Sequence, residues 1–156
     1  MSLLKLVTTV PVHAVPRFVA ADAFEKHNPD GIKFFLEPDF RQYFLGKVEE
    51  GVPAGVIALH ALKRDAQDAP IMAELGDKVH ITLAHFYQLI KAQAQGQAGP
   101  MFTNGCRNIA YIVGDDGNLW AVSAYWHSNV HVWFMDVQLA EDLFEWNRGD
   151  QVLSQA

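Results

Sequence analysis

Two histidines, His127 and His131, flank the tripeptide Ser128-Asn129-Val130. If that tripeptide is a hairpin loop, the two side chains stand directly opposed, with Cβ atoms about 5 Å apart. Neutral imidazoles so placed suit Zn, Cu or Ni. A specific site calls for a third or fourth ligand, and His60, His80 and Asp136 are available, but no spacing positions them. A two-residue turn at Ser128-Asn129 removes the pairing altogether. The expectation is therefore a solvated hairpin tip, with no metal and no resident cofactor.

The lone cysteine, Cys106, stands in Thr103-Asn104-Gly105-Cys106-Arg107-Asn108. A thiol beside an arginine, just past a glycine bend, is placed to ionise readily and act as a nucleophile. No histidine neighbours it in sequence, and a free cysteine opening a strand also serves as a small buried apolar residue. A third group belongs to one side of a sheet. Small residues, Ala110, Ala121 and Ser123, make a floor, and Asn108, Tyr125, Phe134 and Asp136 ring it. Small residues under aromatic walls, with a few polar groups to orient a guest, are the makings of a ligand pocket. The same face is otherwise a second layer of core or ordinary polar decoration. The tryptophans, at 120, 126, 133 and 146, all fall in the C-terminal stretch, and exposed Trp and Tyr dominate binding hot spots. Trp146, in Glu145-Trp146-Asn147-Arg148-Gly149, is the one of the four expected outside, although a tryptophan that plugs the end of a barrel or sheet is the commoner case.

The elements that must position these groups are read from periodicity. Arg107 to Val113, Leu119 to Trp126 and Val130 to Val137 predict a three-stranded antiparallel meander, with turns at Asp116-Gly117 and Ser128-Asn129. Two-residue turns set Ile109 beside Ala124 and Trp133, and Tyr111 beside Val122 and Met135. That apolar face is expected to pack on the clearest helix, Leu83 to about Gln95, whose stripe is Leu83, Phe86, Tyr87, Ile90 and Ala94. Thr82 is its N-cap, and His85, Gln88 and Lys91 point to solvent. Further strands are expected over Leu3 to Val7, Ile32 to Glu37, Ala54 to Leu62, Ile71 to Leu75 and Gln151 to Ser154. The 54–62 strand should pair with the 71–75 strand. Short helices are expected over Arg17 to Lys26 and from Pro38 to Gly46, with a turn at Asn28-Pro29-Asp30-Gly31. The fold class is α+β, a mostly antiparallel sheet packed on one main helix, in a single globular domain spanning 1–156.

Composition limits the functions open to such a domain. Half the residues are hydrophobic and 19% charged, as in an ordinary globular protein. The net charge of −6 and the scatter of the basic residues argue against nucleic acid. No apolar run approaches the roughly 18 residues a membrane helix needs. Neither a signal peptide nor a disulfide framework is evident, so a cytoplasmic protein is expected. No nucleotide-binding, metalloprotease, hydrolase or EF-hand motif is present. Asp115-Asp116-Gly117-Asn118 lacks the ligand spacing of a calcium loop.

The leading expectation is a non-enzymatic binding protein acting on a protein partner or a small molecule. It rests on the missing catalytic signatures and on the aromatic, histidine-rich C-terminal third. The alternatives are a small enzyme using His and Asp, or Cys106, in a cleft, and a structural subunit of a homo-oligomer or phage particle. An occupied sheet edge would mark the last. The run from Asn108 to Leu153 resembles small bacterial or phage accessory proteins, a resemblance that implies no particular activity.

Overall fold

A computed structural model describes residues 2–140 and 142–156. In chain order its elements are β1 (Leu4–Val12), β2 (Val15–Val19), α1 (Ala20–Ala23), β3 (Phe34–Leu36), α2 (Pro38–Phe44), β4 (Val48–Val52), β5 (Gly55–Leu62), β6 (Ala66–Gln67) and α3 (Asp68–Leu75). They continue with α4 (Leu83–Ala92), β7 (Asn108–Val113), β8 (Leu119–His127), β9 (Val132–Leu139), β10 (Glu145–Trp146) and β11 (Gln151–Gln155). Seven strands form one sheet in the order β1-β5-β11-β7-β8-β9-β3. Its pairings are antiparallel except β11 with β7 and β3 with β9. The class is α+β with a mostly antiparallel sheet. Among the described residues no helix is long and apolar enough to cross a membrane.

Two apolar cores lie on the two faces of this sheet. One gathers Ile57, Leu59, Ala110, Ile112, Val122 and Met135 with Phe86 and Ile90 of α4 and Phe40 and Phe44 of α2. The other gathers Ile109, Tyr111, Ala121 and Val152 with Ile71 and Leu75 of α3 and Trp146. Thr82 starts α4 as expected, its Oγ1 accepting from His85 N at 3.1 Å. The Glu49 carboxylate completes the cap by accepting from Leu83 N and Ala84 N, satisfying amides with no partner inside the helix.

The meander is present but its register differs from two-residue turns. Gly114 N–H donates to Asn118 O and Gly117 N–H to Gly114 O, so the β7–β8 loop has three residues, closed by Gly117 at φ +80°. A two-residue turn of the I′ type needs positive φ at both centres. Asp116 is not among the positive-φ residues, and its carboxylate instead accepts from Asn118 N and Trp120 Nε1. The extra residue slips the pairing by one, to Ile109↔Ser123 and Tyr111↔Ala121, and a slip of one turns every side chain of a strand to the other face. Ala110 and Ile112 therefore meet the α4 side, while Ile109 and Tyr111 meet α3. The β8–β9 loop is longer still, closing at His127↔Val132. That shift is even, so the faces of β8 and β9 keep their expected relation.

Four other expectations are corrected. Residues 71–75 belong to helix α3, whose Pro70 sits in the first turn, where a missing N–H costs nothing; the strand that joins β5 is β11. Residues 15–19 are extended against β4, leaving only the single turn α1 of the predicted 17–26 helix. His85 is buried at 7% exposure, because α4 is also enclosed from the β5 side. Trp146 is 2% exposed, its indole donating to buried Asp68 at 2.7 Å.

Candidate functional site

The α3 helix and the β6–β10 ribbon lie over only part of the second sheet face. Where that cover stops, a polar group marks the boundary. Ser123 is fully buried, and its Oγ accepts from Arg107 Nη1 at 2.8 Å. The same guanidinium lies 3.5 Å from Asp136 Oδ2 and 4.6 Å above the centre of the Tyr125 ring. Arg107 is thus held in three ways: by a hydroxyl, by a counter-charge and by an aromatic face.

Beyond this boundary the sheet carries a row of rings running across the strands. Tyr125 of β8 and Phe134 of β9 are register partners, 5.1 Å apart between ring centres. Phe134 and Phe35 of β3 are also register partners, stacked at 4.8 Å. His127 stacks on Phe134 as well, at 5.2 Å and 26°, and its Nδ1 is buried with no hydrogen-bond partner. Strand alternation explains the row, since residues directly opposite each other in neighbouring strands share a face. The row is open to solvent. Phe35 is 49% exposed, and Tyr125, His127 and Phe134 are half-buried.

Four of the five residues expected to frame a ligand, Ser123, Tyr125, Phe134 and Asp136, therefore share this face. The fifth, Asn108, is on the opposite side, turned there by the one-residue slip of β7. Its side chain is consumed in bracing: Nδ2 donates to Phe102 O and Ala124 O, and Oδ1 accepts from Phe102 N and Gln151 Nε2. Ala110 moves with it out of the expected floor. His127 and His131 do not come together, because the longer loop puts His131 at φ +55° with its ring 6.1 Å from Trp126, which belongs to the α4 side. Groups of three or more potential metal ligands do not occur among the described residues. Cys106 is partly buried in the loop before β7, with its N–H donated to Asn104 Oδ1.

Two members of the row, Phe35 and Arg107, escape the sequence reading. Phe35 lies in an expected strand, but nothing in its periodicity says that this strand runs parallel beside β9. Arg107 reads as a neighbour of the Cys106 thiol. Its position opposite Tyr125 depends on the β7–β8 loop length.

The fold and the site define an α+β protein with an open, ring-bearing sheet face. No protein-family model, curated protein or solved structure matches this chain.

Proposed function

We propose that this protein is a binding module that docks a protein partner on the open half of its sheet through the row Phe35, Phe134, Tyr125 and Arg107. The observation that carries this reading is the row itself: three register-paired rings ending on an arginine, with Phe35 half exposed. Small-molecule sites are concave, whereas this surface is a flat sheet face. Tyr and Arg, with large aromatic area, are what protein hot spots use.

The charge on the face narrows the partner further. Asp136 neutralises Arg107, and Glu37, which extends β3 and donates its N–H to Met135 O, falls on the Phe35 side by strand alternation. Lys33 alternates onto the same side and balances Glu37, which leaves the chain's net charge of −6 to favour an apolar or aromatic partner segment flanked by Lys or Arg.

The test is selection of a displayed random-peptide library on the immobilised protein. Enriched peptides should carry an apolar or aromatic residue beside a basic one, and should lose at least tenfold in affinity for Phe35→Asp, about 1.4 kcal/mol. Circular dichroism should show the variant folded, since Phe35 lies at the surface. Failure of the wild type to enrich any peptide, or equal retention by folded Phe35→Asp, would overturn the proposal.

A further inference from the structure

The other side of β3 borders a different feature. Between the end of α1, β3 and α2 lies a cleft of about 700 Å³, within the size range of small-molecule sites. Its floor is apolar. Phe24 and Leu36 are buried there at 2% and 6% exposure, with Phe34 and Leu45 alongside. Its rim is cationic, carrying Lys26, Lys33 and Arg41, with His27 beside them and Glu25 as the one acid.

Three of the twelve Lys and Arg residues of an acidic chain thus converge on one cleft. Elsewhere Arg17 pairs with Glu50, Lys47 with Glu49, Lys91 with Asp30 and Arg107 with Asp136. Among the described residues, no carboxylate lies within ion-pair distance of Lys26, Lys33 or Arg41. Arg41 gives only its Nε–H, to Leu36 O at 3.3 Å, which fixes the guanidinium at the mouth with its two terminal nitrogens unspent. A planar guanidinium so held matches a carboxylate or phosphate in two-point geometry, while the buried rings below match hydrocarbon or another ring.

We infer that this cleft binds a small amphipathic anion, with its carboxylate or phosphate head on Arg41, Lys33 and Lys26 and its apolar body on Phe24, Phe34 and Leu36. The apolar floor of the site, Phe34 and Leu36, lies on the opposite side of β3 from Phe35, and binding there does not depend on the Phe35 row having a partner.

Calorimetry on the full chain with decanoate, decyl phosphate, 1-decanol and inorganic phosphate tests this, with amide chemical shifts to locate the site. Decanoate or decyl phosphate should bind, weaken with added salt, and shift the amides of Phe24, Lys33, Phe34, Leu36 and Arg41. The tighter of the two assigns the head group. Decanol and inorganic phosphate should each bind at least tenfold more weakly, and Lys33→Gln with Arg41→Gln should cost the anion at least tenfold. These two residues are surface cations, so the double variant should stay folded, which its unchanged far-ultraviolet dichroism would establish. The inference is overturned if neither amphipathic anion binds, if decanol binds as tightly, if inorganic phosphate alone suffices, if the folded double variant binds unchanged, or if the shifted amides lie elsewhere.

Discussion

Gly96 offers a sharp test of the packing between the α4 exit and the sheet. It follows the helix end with φ +70°, and a Cβ added to it would fall on the Trp126 indole, 2.5 Å from Cδ2 and Nε1. Three effects combine in Gly96→Ala. Left-handed backbone costs an alanine about 1–2 kcal/mol. Overpacking against a buried ring, here 5% exposed and wedged edge-on to Trp133 at 5.7 Å, costs about 1–3 kcal/mol. The stiffer unfolded chain returns about 0.4–1 kcal/mol. The net is a loss of roughly 1–4.5 kcal/mol. Gly117→Ala is the internal control, since it has φ +80° and no atom within 4 Å of the added Cβ. It keeps the backbone cost without the overlap, for a net of about 0–1.5 kcal/mol. Equilibrium urea unfolding followed by far-ultraviolet dichroism should place the Gly96→Ala midpoint roughly 1 M below that of Gly117→Ala, taking a slope of about 2 kcal/mol per M. In a Trp126→Leu background the difference should shrink, because neighbouring residues couple. Equal midpoints for the two alanine variants would refute the seating of Trp126 on Gly96.

Two further predictions address the cores. Asp68 is fully buried, with Oδ1 accepting from Tyr111 and Trp146 at 2.7 Å each and Oδ2 without a partner. Burial raises its pKa above the ordinary 3.8 despite those two donors. A carboxyl whose folded pKa is raised contributes stability that is fully present below the unfolded value and lost as pH rises through the folded one. Asp68→Asn keeps an oxygen for both donors and carries no charge, so at neutral pH it should be more stable than the wild type by roughly 1–3 kcal/mol. The gap should close as pH falls toward 4 in urea titrations, and a gap constant with pH would contradict it. Ile90→Asp places a carboxylate at a fully buried α4 position with no cation supplied, a loss of about 3–5 kcal/mol; a cooperatively melting variant of near wild-type midpoint would show that α4 does not bury this residue.

The parts of the fold legible in the sequence are those decided locally. Thr82 as cap, the apolar stripe of α4, Pro38 opening α2 and the alternating residues of β8 and β9 each declare themselves within a few positions. The face of β7 was not legible because it turns on one φ angle: Asp116 is not among the positive-φ residues and bonds Asn118 and Trp120, and the three-residue loop follows. Trp146 and His85 were misread because their burial is imposed by elements distant in sequence, α3 and β5. The candidate site shows the same division. Ser123, Tyr125, Phe134 and Asp136 share a face by alternation within an antiparallel pair, whereas Phe35 joins through a parallel pairing with β9 that no local signal announces.

The position of β11 has a consequence for the order in which the molecule can assemble. Residues 151–155 follow every other element in the chain, yet they lie between β5 and β7 at the middle of the sheet. A nascent chain that has not yet released this segment from the ribosome holds two half-sheets, β1-β5 and β7-β8-β9-β3, with unpaired inner edges. Such edges are templates for pairing with other chains. Closure of the sheet therefore waits for this last-emerging strand, and loss of residues 151–155 would divide the sheet between β5 and β7.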